Sequence, residues 1–508
     1  MGNVCSLPDS APRIVLCHQD RGFLGAGSKE RSQVRPRGEP DGPSGRLNRM
    51  IRIQPVVPAI CAILLAVGAA ACTADAGPSA TPSPPRTQTR PLPEDRTRPS
   101  PARPAASAAR AAGPSCRLKG TPRRLSALGR RSALHRRLDR LAAAHRVGVA
   151  VGVDGHLIYT HDARRPRVPA SNQKLLLSMA LLDRLGSGHR IATKAAAERV
   201  AGGVVHGDLW VIGGGDPSLS ANSPGYWGGV NAPTLDELAG AVSRSGVTGV
   251  TGRVMGAHGY FADDLSAHGW QPYVPGRFVQ LPTALVIDGN NSGSPDPERG
   301  AATALTRALR RHGVQVAGKP GSGRPPKGLT TTARVRSQSL AAILAGMNRT
   351  SNNFFAEVLV KLLGAKTYGR PGTIAKGARA ITRWARAHGV QVRAHDGSGL
   401  SYANRISPRG MIRLLSVAKR EPWGDDLRRG LPGAGEGTLG SRLYGLDVRA
   451  KTGTLFNGAS TISGWVRSDL ERRWIAFSIL GRNTTKAFED HLVRIVSGAR
   501  IRMVASNC

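Results

Sequence analysis

A stretch dominated by Pro, Ala, Ser, Thr and Arg, residues 77–115 (with TPSPPRTQTRPLPEDRTRPSPARPAA at its centre), limits where this chain can build a core. Such a segment cannot bury enough apolar surface to offset the entropy of ordering it, so it reads as an extended tether. A packed body therefore has to come from residues 116–508. Upstream, Arg46, Arg49 and Arg52 lead into the apolar run Val56–Ala71, which ends in small residues. A basic flank, an apolar stretch of this length and an A-x-A-like end predict a signal peptide or membrane anchor over residues 50–76. Three outcomes stay open: cleavage after Ala71 or Ala76, lipidation of Cys72, and an uncleaved span from Ile53 to Ala71. Residues 1–49 are polar and aperiodic and are followed by Met50, so they are either an over-extended start or an N-terminal tail. Each alternative puts the body outside the cytoplasm.

Charge travels with that body. The 508 residues hold 72 Lys+Arg against 33 Asp+Glu, a formal net charge of +39, of which residues 116–508 keep +32. Excess cations are the footprint that nucleic-acid-binding proteins share. The chain has no recognisable nucleic-acid motif, however, and its body is expected beyond the cytoplasm, so no nucleic-acid partner is predicted. The expected counterpart is the polyanionic cell envelope, through nonspecific, salt-dependent attraction. With 40% hydrophobic and 21% charged residues, collagen-like, disulfide-dense and fully disordered classes are excluded. Of six cysteines, only Cys116 and Cys508 follow the tether, at the two ends of the body. In an oxidising compartment they are expected to pair and clasp those ends; two unrelated free thiols are the alternative.

Within the body, helix and strand patterns alternate. Ser132–Ala144 is amphipathic, with Leu134, Leu138 and Leu141 on one face. Val147–Val153 and His156–Thr160 read as strands joined at Asp154-Gly155. Leu175–Leu185 is an apolar helix, Arg336–Met347 and Phe354–Leu363 predict two more, and Ser407-Pro408 opens another. Residues 200–243 contain no Lys or Arg and are Gly-rich, a shift that suggests an inserted subdomain. Val448–Leu455, Ala459–Arg467 and Arg473–Leu480 predict an antiparallel meander, followed by a last helix, Lys486–Ile501. Helices at both ends and a C-terminal meander fit an α/β (α+β) fold, an antiparallel sheet covered by helices.

Three short motifs occur in order: Ser171-Asn172-Gln173-Lys174, Ser351-Asn352-Asn353 and Lys451-Thr452-Gly453. Ser171 precedes an apolar helix, so free N–H groups and the positive dipole end favour an oxyanion there. Lys174 lies one helical turn on and can reach the serine hydroxyl. A serine is a weak nucleophile at its ordinary pKa, and an amine held in a partly desolvated pocket among other cations can take its proton. Each motif is weak alone: Ser416-Val417-Ala418-Lys419 and Ser220-Ala221-Asn222 match the first two patterns elsewhere. The order, the spacing and the local contexts together carry the signal.

This trio is the signature of penicillin-binding proteins and serine β-lactamases. The gap of 180 residues between Ser171 and Ser351 resembles the DacB-type D-alanyl-D-alanine carboxypeptidase/endopeptidase family, the low-molecular-mass class C penicillin-binding proteins, which insert extra domains there. Gly207-Asp208-Leu209 with Gly213–Leu219, Asp396–Ser401, and Gly437-Thr438-Leu439 with Arg442 are similar to further family signatures. The resemblance covers roughly residues 120–505. It implies a transpeptidase-like catalytic domain over 116–195 and 335–508, with an accessory insert over 196–334 that is shorter than in the larger members. It also implies roles. Ser171 would attack the penultimate D-Ala carbonyl, Lys174 would serve as base, Ser351 would pass the proton to the leaving amine, and Asn353 would orient the substrate amide. Lys451, Thr452 and Gly453 would hold the terminal carboxylate, and Thr454 would complete the oxyanion hole. Peptidoglycan stem peptides are the implied substrates and β-lactams the implied acylating inhibitors, with no cofactor.

Other chemistries fit less well. No His or Cys pair has metal-ligand spacing, so no metal is predicted. Gly399-Leu400-Ser401-Tyr402-Ala403 approaches a nucleophile elbow, with His395 and Asp396 near, but lacks the final Gly; a loop bracing the site is the expected role. A serine β-lactamase and a non-catalytic wall-binding protein on the same scaffold remain as alternatives.

Overall fold

The computed structural model describes residues 133–222, 231–470 and 472–499. The predicted signal or anchor, the tether, and both Cys116 and Cys508 lie outside the described residues. Among the described residues, no helix is long and apolar enough to cross a membrane.

The chain opens with helix α1 (Ala133–Ala143) and the hairpin β1 (Val147–Val153) and β2 (His156–His161). The hairpin turns at Asp154 and Gly155, with φ of 51° and 89°, the positive-φ pair that matches the twist of its strands. After α2 (Gln173–Leu185) comes a long excursion: β3 (Ala192–Ala197), β4 (Arg199–Ala201), β5 (Val204–His206), β6 (Leu209–Ile212), α3 (Leu235–Arg244), β7 (Gly249–Val250), β8 (Val254–Ala257), α4 (Pro297–Arg311), β9 (Gln315–Val316), β10 (Gly321–Gly323) and β11 (Thr330–Arg336). The chain then returns through α5 (Leu340–Thr350), α6 (Asn353–Tyr368), α7 (Ile374–Ala387), α8 (Pro408–Arg420) and α9 (Gly424–Gly430). It closes with β12 (Val448–Thr454), β13 (Ala459–Arg467), β14 (Trp474–Arg482) and α10 (Lys486–Ser497).

The central sheet has the order β12-β13-β14-β1-β2, antiparallel throughout. The alternation in β1 (VGVAVGV) explains how it is covered. Val147, Val149, Val151 and Val153 join Leu138 of α1 and Leu492 and Val493 of α10 in one core. Ala150 joins the core on the other side, with Met411, Ile412 and Leu415 of α8. Small residues are needed on that second face because α8 lies close: a Cβ on Gly148 would sit 2.9 Å from the Pro408 ring and one on Gly152 2.8 Å from Ile412. Deeper in the second core runs α2, with Leu175, Leu176, Leu177, Met179, Leu181 and Leu182 all buried. A helix apolar all round has to be central, and here it carries the first motif.

In the excursion, β3 and β11 pair antiparallel from Ala192 opposite Arg336 to Ala197 opposite Thr330, so the outgoing and returning chain run side by side. They belong to a five-stranded sheet, β10-β8-β6-β3-β11, next to a four-stranded one, β4-β5-β7-β9. The segment packs its own core, in which Val205, Val211, Leu235, Leu238, Leu305 and Leu309 meet. Local capping sets the ends of the returning helices. Ser339 accepts from the Ala342 N–H and starts α5 four residues later than its apolar pattern predicts, because Arg336 is still paired in β11.

Candidate active site

Ser171 sits in a single 3-10 turn, Ala170–Asn172, that runs directly into α2. Ala170 has φ of +47°, a left-handed conformation that a non-glycine residue holds only when its surroundings impose it. Three neighbours do so. The Thr461 hydroxyl donates to Pro169 O at 2.9 Å, and the Asn172 amide donates to Ser463 Oγ at 3.0 Å, tying the turn to β13. From the other side, Gly399 presses its backbone on the turn so closely that a Cβ there would lie 1.9 Å from Ala170 O.

One helical turn along, the Lys174 side chain is completely buried, and its Nζ lies 3.1 Å from Ser171 Oγ. It also donates to Asn353 Oδ1 at 2.8 Å and to the Ser398 carbonyl at 2.6 Å. Burial pushes this amine down to about 7, against the pull of the Asp396 and Glu357 carboxyls. An amine that is half neutral near pH 7, within hydrogen-bond reach of a serine hydroxyl, has the properties of a general base.

The second motif lies at the α5–α6 junction. Ser351 ends α5 in a left-handed conformation, φ +57°, closed by the Asn352 N–H donating to Met347 O at 3.0 Å. Asn352 then caps α6 by accepting from the Phe355 N–H at 3.0 Å. Asn353, first in the helix, is left to meet Lys174. A cavity of about 160 Å³ opens against Asn353, walled by Asn352 and Phe354 and by Arg277, Phe278 and Gln280 of the excursion.

The third motif lies on β12, the edge strand, with Lys451 opposite Ser463, Thr452 opposite Ile462 and Gly453 opposite Thr461. An edge leaves backbone groups free to pair with an extended ligand. Gly453 is required by proximity: a Cβ there would lie 2.8 Å from the Ser171 N and 2.5 Å from Thr461 Oγ1, so the strand backbone abuts the Ser171 turn. Lys451 is completely buried and donates to Thr452 O at 2.8 Å. Burial, and then the neighbouring ammonium groups of Lys174 and Lys486, hold it well below the ordinary lysine range. A buried amine flanked by cations favours an incoming anion, which would restore its charge. Thr452 is nearly buried, and Thr454, at the strand end, is exposed.

The sequence matches the D-Ala-D-Ala carboxypeptidase 3 (S13) family over residues 134–295 and 291–497. This chain belongs to the S13 D-Ala-D-Ala carboxypeptidase family. Membership makes it a serine-type DD-peptidase. The S13 chain is 29% identical to a D-alanyl-D-alanine carboxypeptidase of Actinomadura sp. strain R39, over 61% of this chain and 73% of that protein. It is 30% identical to carboxypeptidase Rv3627c of Mycobacterium tuberculosis, over 64% of this chain and 75% of that one. Its fold is similar to that of penicillin binding protein 4 (dacB) from Haemophilus influenzae, with a TM-score of 0.60 at 19% identity, covering 71% of this chain and 99% of that one.

The S13 structure separates the motif residues from their look-alikes. Ser416 donates to Ile412 O within α8 and Lys419 pairs with Asp154, so that S-x-x-K pattern is an ordinary helix face. Asn222 accepts from Arg311 in the excursion. The near-elbow at Ser401 is a brace: its hydroxyl donates to His268 O at 2.6 Å, while Asp396 accepts from the Gly399 and Ser401 amides, the Asn404 amide and the Trp270 indole. Sequence reasoning passed over Thr461, Ser463 and Glu357, which are buried polar residues on elements read only as strand or helix. Glu357 did carry a signal, standing four residues after Asn353 on the same helix face. Among the described residues, His258, Asp296 and Glu298 bring ligand atoms within 4.8 Å of one another, but they lie in the excursion, and Asp296 is engaged by Ser322 Oγ at 2.6 Å and the Arg299 N–H at 2.9 Å.

Proposed function

We propose that this S13 peptidase removes the terminal D-Ala of peptidoglycan stem peptides, cleaves their D-Ala cross-links, or does both, through an acyl-enzyme on Ser171. The supporting observation is the buried Lys174 amine 3.1 Å from Ser171 Oγ. Lys174 takes the serine proton as Oγ bonds to the penultimate D-Ala carbonyl carbon, and the N–H groups of Ser171 and Thr454 stabilise the oxyanion. Ser351 gives its proton to the amide nitrogen and takes the one held by Lys174, the C–N bond breaks, and D-alanine leaves. Water then attacks the ester and regenerates Ser171. Asn353 orients the substrate amide. Lys451 and Thr452 bind the terminal carboxylate, helped by the Thr454 hydroxyl. Penicillins, which present a carboxylate beside a reactive amide, are acylating inhibitors in this scheme.

Incubation with a fluorescent penicillin, followed by peptide mapping, tests the assignment. Stable label on the peptide containing Ser171 is the expected outcome. Rapid turnover without label would make the chain a β-lactamase, and neither label nor turnover would leave a wall-binding protein on a peptidase scaffold. Lys451→Ala is expected to lower kcat/KM for carboxylate-bearing substrates by about 10²-fold, the order lost when one partner of a desolvated charge pair is removed. An unchanged kcat/KM, measured with the corresponding amide-capped peptide as control, would take Lys451 out of the site.

The same reading places the body outside the cytoplasm, brought there by residues 50–76, with anionic envelope polymers as loose partners. A groove of about 920 Å³ supports the second point: it is lined by Arg146, Arg165, Arg167, Arg405 and Arg482, and Asp162, the one carboxylate in its lining, is already paired with Arg167. Replacing Arg146 and Arg482 by Gln is expected to weaken binding to isolated cell walls about three- to tenfold at low salt. The same change at Arg383 and Arg386, exposed on α7, is expected to have less effect. Equal losses would mean that net charge alone governs attachment.

A further inference from the structure

Glu357 lies one turn beyond Asn353 on α6 and is completely buried. Its Oε1 accepts from two consecutive amides, Gly397 N at 3.1 Å and Ser398 N at 2.7 Å. Two donors on one oxygen fix the orientation of that short piece of backbone. The carbonyl of Ser398 is the group that accepts from Lys174 Nζ at 2.6 Å. The helix and the loop touch without a gap: a Cβ on Gly397 would lie 2.6 Å from Ala356 O and 2.8 Å from Val360 Cβ. The second carboxyl oxygen, Oε2, is buried and has no hydrogen-bond partner among the described residues.

We propose that Glu357 is a positioning residue for the catalytic base: it clamps the backbone at Gly397 and Ser398 so that the Ser398 carbonyl aims the Lys174 amine at Ser171. The inference rests on Lys174 being the base, as argued above. The carboxyl lies in a cluster of ionisable groups: Lys174 on α2, Asp396 on the bracing loop, Lys451 on β12, and Lys361 one turn further along α6, itself paired with Asp264. Burial and the Asp396 charge push the Glu357 carboxyl up to about 8, close to the value of about 7 to which burial lowers Lys174. Through the range in which Lys174 titrates, Glu357 is therefore mostly protonated and holds the two amides as a neutral acceptor.

Glu357→Gln keeps an acceptor oxygen for both amides and, like the protonated carboxyl, carries no charge. The acid limb of penicillin acylation, read as the second-order rate between pH 5 and 9, is expected to stay in place, with a plateau within about threefold of wild type. Glu357→Asp keeps the carboxyl and withdraws the oxygen from the two amides by one carbon. It is expected to acylate about tenfold more slowly across the whole range. Melting temperatures show that each variant is folded, and the Asp variant decides the clamp if the Gln variant fails to fold. A Gln variant that acylates as slowly as the Asp variant, or an Asp variant that acylates at the wild-type rate, overturns the proposal. Lys174→Met in parallel keeps the two readings apart: if it abolishes acylation while the Glu357 variants behave as wild type, only the role of Glu357 is lost.

Discussion

Ser171→Ala is expected to abolish stable penicillin labelling and to lower D-Ala release by at least about 10³-fold, while the melting temperature stays close to wild type. The loss is that large because the acyl-enzyme needs an oxygen at this position. Ser416, which shares the first motif pattern, spends its hydroxyl on Ile412 O within α8. The fold should tolerate the change. Pro169 O and the Asn172 side chain anchor the turn to β13, and Gly399 presses on it, none of which involves the Ser171 hydroxyl. Intact-mass spectrometry of the penicillin adduct together with a D-alanine release assay would check both halves. Label that survives on the variant would move the nucleophile elsewhere.

Lys174→Met should cost nearly as much, about 10²–10⁴-fold in acylation, the range for loss of a positioned general base. Met fills a similar volume, so the cavity is small, but the Ser398 carbonyl and Asn353 Oδ1 each lose their 2.6 and 2.8 Å donor. Some loss of stability, about 1–3 kcal/mol for the buried Ser398 carbonyl left bare, should accompany the kinetic defect. The pH dependence of the wild type gives an independent check. Lys174 is lowered by burial to about 7 and acts in its neutral form, so acylation should climb with pH through about 7 and fall toward tenfold per unit on the acid side. A wild-type rate that is flat from pH 5 to 9, or a Met variant that acylates normally, would assign the proton to another group.

The two halves of this mechanism were not equally visible in the chain. Ser171 and Lys174 are three residues apart, and helical geometry alone brings such positions together. The meander was also legible, because β13 and β14 are long, apolar and bounded by turns. Thr461 and Ser463 were not, since alternating polar residues on a strand are ordinarily its solvent face. Here that face is buried under the Ser171 turn, and both hydroxyls hold it. Glu357 was passed over for a related reason. A single acidic residue in an apolar helix has no periodicity to mark it, and its partners, the amides of Gly397 and Ser398, lie 40 and 41 residues away. The excursion was visible as a shift in composition, whereas its delivery of Trp270 to Asp396 and of Tyr273 to Tyr402 depends on how two separate cores meet.

By itself, the sequence determined the chemical vocabulary of this protein: a serine with a lysine one helical turn on, a Ser-Asn-Asn at a helix junction, a Lys-Thr-Gly on a strand, and a cationic body behind a tether. These are local properties, carried by spacing, composition and turn chemistry. The tertiary structure added that the Lys174 amine is buried and within hydrogen-bond reach of Ser171, because neither burial nor long-range contact can be read from a short pattern. Burial in the second core holds Lys174 as an amine poised near neutrality. The close approach of β12, which Gly453 permits, brings the Lys451 strand against the Ser171 turn, 280 residues away in the chain.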